Sequence, residues 1–143
     1  MHLIDVNVLI YAHRSNADRH DDYREWLEAT LAGDAAFAVS ELVLAGFLRI
    51  ATHPKIFDPP STIAEAIAFI DEIRGAPNYV ILAPGGRHWE IFVDLCRKGN
   101  ARGNLVMDAY HAALAIEHGC EFISADRGFA RWPNLTWRHP MDG

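Results

Sequence analysis

Cysteine is scarce in this 143-residue chain: only Cys96 and Cys120, with no CxxC pair. That excludes a disulfide-stapled scaffold and a zinc knuckle, and makes a reduced, cytoplasmic setting the expectation. Long apolar runs are missing too. No stretch nears the roughly 18 residues of a membrane span. The opening Met1-His2-Leu3-Ile4-Asp5 has no basic segment, and Asp5 and Asn7 break its apolar run, so no signal peptide is expected. Lysine is nearly absent, 2 against 11 Arg. Because those arginines are scattered and sit beside 21 Ala, they read as a compositional bias rather than a phosphate-binding patch. Acids outnumber bases by 19 to 13, a net charge of −6. A general nucleic-acid coat protein would be basic, so that class is excluded, whereas an enzyme acting on nucleic acid is not.

What is present is a hydrophobic half of the composition, with 10% aromatics. Such a chain buries roughly 70% of its unfolded surface in one domain, here 1–143. Short apolar strands at 3–4, 36–39, 79–82, 121–124 and 135–137 alternate with helical patterns at 6–13, 18–31, 41–52, 87–98 and 104–118, with one more between Ser61 and Gly75. Asp5, Ser40 and Ser61 are placed as N-caps, Ser61 with Glu65 close to capping-box position, and Gly33, Gly75, Gly99 and Gly119 as helix ends. The alternation predicts an α/β fold with a central parallel sheet of about 4–5 strands flanked by helices on both faces. Ligands of such sheets bind beyond the carboxyl ends of the strands.

Acids fall at those ends. Asp5 ends the first strand, Glu41 follows the second past Ser40, and Asp126 lies two residues past Ser124. Asp108 sits one turn into the sixth helix on the face of Asn104, interrupting an apolar run. Each has an ordinary alternative: Asp5 as a cap, Asp108 and Glu41 as answers to a helix dipole, Asp126 as a turn residue before Gly128. Together they propose three or four converging carboxylates. Crowded carboxylates raise one another's pKa unless a cation neutralises them. An all-oxygen donor set selects Mg²⁺, or Mn²⁺, over zinc and suits phosphodiester hydrolysis. His111, three residues after Asp108, is a candidate ligand or proton shuttle, although packing at the rim is the commoner fate of such a histidine. The remaining histidines show no paired ligand spacing.

The run Ile4-Asp5-Val6-Asn7-Val8-Leu9-Ile10-Tyr11 resembles the opening of PIN-domain nucleases. Asn104-Leu105-Val106-Met107-Asp108-Ala109 resembles their second acidic motif. Ala112 to Gly119 followed by Ser124-Ala125-Asp126-Arg127-Gly128-Phe129 resembles their closing stretch. The similarity spans essentially the whole chain, and VapC toxins of bacterial toxin–antitoxin pairs are the nearest subgroup. The resemblance implies a Mg²⁺-dependent endoribonuclease with Asp5 and Asp108 as main metal ligands and Asp126 completing the pocket through water. Ser124, Asn7 and Asn104 would orient carboxylates or waters. Many members carry a Glu just before a Phe-Leu-Arg-like stretch. Here Gly46 stands before Phe47-Leu48-Arg49, and Glu41, about a turn and a half earlier, is the available substitute.

The family further implies a small VapB-like antitoxin covering the cleft, and a homodimer, with no membrane association. Lys98, Arg102 and Arg127 are the candidate RNA contacts, with solvated helix-end charge as the alternative. Leu42, Phe47, Ile56 and Phe57 are candidates for the antitoxin groove, with ordinary core packing as the alternative. Two other functions fit strand-end acids: a different metal-dependent nuclease or phosphatase, and a PIN-like RNA-binding module without catalysis. An aspartyl-phosphate phosphatase fits poorly, because Asp5-Val6-Asn7 is not DxD.

Overall fold

A computed structural model describes residues 1–142. In chain order the elements are β1 (His2–Ile4), α1 (Val6–His13), α2 (His20–Ala32), β2 (Phe37–Ala38), α3 (Glu41–Ala51), α4 (Ile63–Arg74), α5 (His88–Lys98), α6 (Asn104–His118), β3 (Glu121–Ile123) and β4 (Trp137–Arg138). A 3-10 turn, Arg127–Arg131, lies between the last two strands. The sheet order is β2-β1-β3-β4 and every pairing is parallel. Among the described residues no helix is long and apolar enough to cross a membrane.

The period of two along each strand decides which helices cover which face. Leu3, Ala38 and Phe122 pack against α5 and α6, alongside Leu95, Ala113 and Leu114. Ile4, Phe37 and Ile123 face the other way, into a core with Val8 and Leu9 of α1, Phe47 of α3 and Ile73 of α4. Both faces are dry, which is why the strands read as unbroken apolar runs rather than alternating ones. β1 pairs on both sides, Leu3 with Ala38 and with Phe122. Its carboxyl end, Asp5, is thereby placed at the middle of the sheet edge.

Three local expectations are corrected. The run 79–82 is not a strand: only Tyr79 bridges to Phe37, and Ile81 is 73% exposed. The chain leaves the sheet there because α6 holds the following loop. His118 Nε2 bonds Ala83 O at 2.8 Å, and the Glu117 carboxylate accepts from Gly85 N at 2.8 Å and Arg87 N at 3.0 Å. The last strand is shifted to Trp137–Arg138. The cap of α4 is Thr62, not Ser61. Ser61 is buried, its Oγ within 2.9 Å of His13 Nε2 and accepting from Arg14 Nη1 at 3.1 Å, so its neighbour takes the cap. Thr62 Oγ1 accepts from Glu65 N at 3.1 Å, and Glu65 Oε1 accepts from Thr62 N at 3.3 Å. Thr62→Ala is expected to lower stability by about 1 kcal/mol, read as a shifted urea midpoint with unchanged slope. Ser61→Ala should leave the α4 cap intact.

Candidate active site

Asp5 serves the helix and the cluster at once. Its Oδ1 caps α1 by accepting from Val6 N at 2.7 Å, and its Oδ2 accepts from Ser124 Oγ at 2.7 Å and from Asn7 Nδ2 at 3.4 Å. The residue is 5% exposed. Ser124, at the end of β3, is fully buried, and its Oγ also accepts from Asn7 Nδ2 at 3.1 Å and Asp126 N at 3.0 Å. Asn7 closes the net, its Oδ1 accepting from Ala125 N at 3.1 Å. Adjacent pairing of β1 and β3 makes this possible, because both strands end at the same edge. Asp126 is exposed, and its Oδ1 accepts from Gly128 N at 2.8 Å as it opens the 3-10 turn.

Asp108 enters from α6. It is half-buried, and among the described residues its carboxyl makes no hydrogen bond. Burial pushes its pKa up to about 6, and the charges of Asp126 and Asp5 push the same way, with Arg131 opposing them. Asp5 is also raised, first by burial, while the Ser124 and Val6 hydrogen bonds pull it down and Asp126 adds repulsion. The three aspartates therefore sense one another as like charges. Among the described residues, no three Asp, Glu, His or Cys side chains stand close enough together to hold one ion. The donor set is nevertheless one that a hard divalent ion fits. All the donors are oxygens, and Asp108 has no competing hydrogen bond among the described residues.

Other sequence candidates make no hydrogen bond or ion pair with this group among the described residues. Glu41 is exposed at the start of α3, beyond the Ser40 cap that accepts from Val43 N at 3.1 Å. Its charge is felt at Tyr79 and does not figure among the charges acting on Asp5 or Asp108. A Cβ added at Gly46, the place beside α1 where many PIN-like sequences carry a Glu, would meet only Val6 Cγ2, in van der Waals contact at 4.0 Å. Asn104 is exposed at the start of α6 and makes no side-chain hydrogen bond among the described residues. Of the basic candidates, Lys98 pairs with Asp94 at 2.9 Å and Arg127 forks onto Asp142 at 3.0 and 3.2 Å. Arg102 is exposed with no carboxylate partner among the described residues.

Sequence reading overlooked Arg131, whose charge reaches Asp108. It lies five residues past Asp126, between the turn expected at 126–128 and the strand expected at 135–137, where the sequence carried no signal. His111 stacks on Phe122, centroids 6.4 Å apart, and burial lowers its pKa to about 4, so it is neutral at neutral pH. It lines an apolar groove of about 320 Å³ with Val6, Leu42, Gly46, Arg49 and Met107. Of the groove candidates, Leu42 is 44% exposed, whereas Phe47 is fully buried core.

The family model described as the PIN domain matches residues 2–135. A VapC ribonuclease of Mycobacterium bovis is 44% identical over 140 residues, covering 98% of this chain and 95% of that one. Ribonuclease VapC25 of Mycobacterium tuberculosis is 41% identical over 140 residues, covering 98% and 99%. Among solved structures, VapBC2 of Rickettsia felis bound to a promoter DNA fragment superposes with a TM-score of 0.67 at 21% identity, covering 96% and 97% of the chains. Mycobacterium tuberculosis VapC20, a sarcin-ricin loop cleaving toxin, gives 0.65 at 13% identity, covering 95% and 99%. At such identities the two structures speak to the fold alone.

Proposed function

Because this chain belongs to the PIN-domain family, and within it to the VapC ribonucleases, we propose that it is a Mg²⁺-dependent endoribonuclease acting as the toxin of a toxin–antitoxin pair. The observation that carries this reading is the placement of Asp5 and Asp126 beyond the ends of the adjacent strands β1 and β3, tied through Ser124, with Asp108, raised to about 6 chiefly by burial, feeling the charge of both. A hard divalent ion, Mg²⁺ or Mn²⁺, when bound supplies Lewis acidity and charge neutralisation for attack of water on a phosphodiester. Asp5 and Asp108 would hold it, Asp126 through water.

The rest is done by the chain. Ser124 and Val6 N fix both Asp5 oxygens, so this carboxylate meets its ligand without reorganising. Asn7 ties the Asp126 segment to α1 through Ala125 N. Asp108 holds a cation only as the carboxylate, so the affinity for Mg²⁺ should fall as pH drops through the titration of the metal-free protein.

The groove of Leu42, Gly46, Met107 and His111 beside the acids supports an antitoxin partner of VapB type. Such a segment would carry apolar side chains for the groove and a basic one for the carboxylates. Pairing of the chain with itself is part of the same proposal, as is a cytoplasmic setting, which suits the free thiols of Cys96 and Cys120. The test is incubation of the purified chain with single-stranded and hairpin RNA in Mg²⁺, Mn²⁺ or EDTA, beside DNA and a phosphomonoester. Cleavage of RNA in Mg²⁺ and none in EDTA is expected. Hydrolysis of the phosphomonoester alone would favour a phosphatase, and binding without cleavage a silent RNA-binding module.

A further inference from the structure

The end of α5 and the turn after β3 meet through one aromatic ring. A Cβ added at Gly99, which closes α5, would stand 2.9 Å from Trp132 Cζ3. Trp132 is buried in the core with Leu95 and Ala113. The guanidinium of the adjacent Arg131 lies over its indole, 5.4 Å from the centroid. Arg131 is thus held on a rigid platform at the start of the loop that carries Arg102.

Arg131 ends the 3-10 turn that Asp126 caps, yet it forms no ion pair with any carboxylate among the described residues. Lys98 is engaged by Asp94, Arg127 by Asp142 and Arg138 by Glu121, whereas Arg102 on the adjoining loop shares with Arg131 the lack of a carboxylate partner among the described residues. A polyanion nearing three aspartates is repelled unless a cation meets it at the rim. Arg131 has that position and an unspent fork. Stacking on Trp132 also lowers the entropy lost when it grips a phosphate.

We propose that Arg131, laid on Trp132, is a substrate-positioning residue that takes an RNA phosphate next to the linkage that is cut. The proposal rests on the ribonuclease reading above. The experiment compares the wild type, Arg131→Ala, Arg131→Lys and, as a remote control, Arg24→Ala. Binding of a labelled single-stranded oligoribonucleotide is followed by anisotropy in EDTA across a salt series, and cleavage kinetics in Mg²⁺. Arg131→Ala should raise Kd and KM about tenfold, the scale of a lost charge-assisted bond, with kcat changing far less. The slope of log Kd against log salt should fall by about 0.7, one single-strand phosphate contact. Arg131→Lys keeps the charge and should recover the slope, which also covers the case of an alanine variant that does not fold. Unchanged Kd, KM and slope in Arg131→Ala, with the wild type cleaving RNA, would overturn the role of Arg131 and leave the ribonuclease reading standing. A wild type that neither binds nor cleaves RNA would overturn both.

Discussion

Asp108→Asn is expected to stop RNA cleavage while making the metal-free protein more stable. The two effects have one cause. Asp108 is half-buried without a hydrogen bond and faces the charges of Asp126 and Asp5, so its folded pKa is about 6 against an ordinary value of 3.8. Between those values the folded state binds more protons than the unfolded one, so stability falls as pH rises through the window. Asparagine carries no charge to repel. After allowance for partial exposure, the variant should gain about 1–2 kcal/mol over the wild type at pH 7.5 in EDTA. That gap should close below pH 4, which thermal melts at several pH values would show. Saturating Mg²⁺ should reverse the order, because only the wild type gains binding energy in the folded state. Activity should fall by more than about a hundredfold, since even outer partners of a metal ligand cost 10- to 100-fold. A pH-independent stability difference would contradict the placement of Asp108.

Ser124→Ala should damage stability and activity together. The Ser124 hydroxyl donates to Asp5 Oδ2 and accepts from Asn7 Nδ2 and Asp126 N, which fills its one donor and two acceptor places. Removing it strips a donor from a buried carboxylate and leaves the Asp126 amide without that partner. A loss of about 2–4 kcal/mol is expected by chemical denaturation, the scale of unmet buried polar groups. Activity should drop about 10- to 100-fold. The Ser124 bond lowers the Asp5 pKa, so its loss should also move the acid limb of the pH–rate profile upward. A purely structural serine would leave that limb in place.

Much of this architecture could be read from residue patterns, because helix signals are local. Ser40 before Glu41 and Gly119 after His118 mark helix ends that the structure keeps. Where tertiary partners choose between neighbours, local reading fails. Ser61 and Thr62 are both sound caps, and only contact with His13 and Arg14, far away in sequence, assigns the role to Thr62. The apolar run 79–82 carries a strand pattern, but its pairing stops at Tyr79 because Glu117 and His118 anchor the loop beyond. Acids at strand ends identified Asp5 and Asp126. That Ser124 would join them in one hydrogen-bonded net follows from β1–β3 adjacency, which spacing along the chain does not encode. Glu41 was legible as an acid near a strand end, and the structure leaves it exposed at the start of α3.

The central claim is that Asp5, held by Ser124 and Val6 N, is a metal-holding carboxylate of a ribonuclease. The most direct measurement is the time course of RNA cleavage by Asp5→Asn beside the wild type at saturating Mg²⁺, with folding of both checked by thermal melts. Asparagine can still cap α1, so the variant should fold. The wild type should cleave, and Asp5→Asn should be slower by more than about a hundredfold. Equal rates for the two proteins would contradict the account.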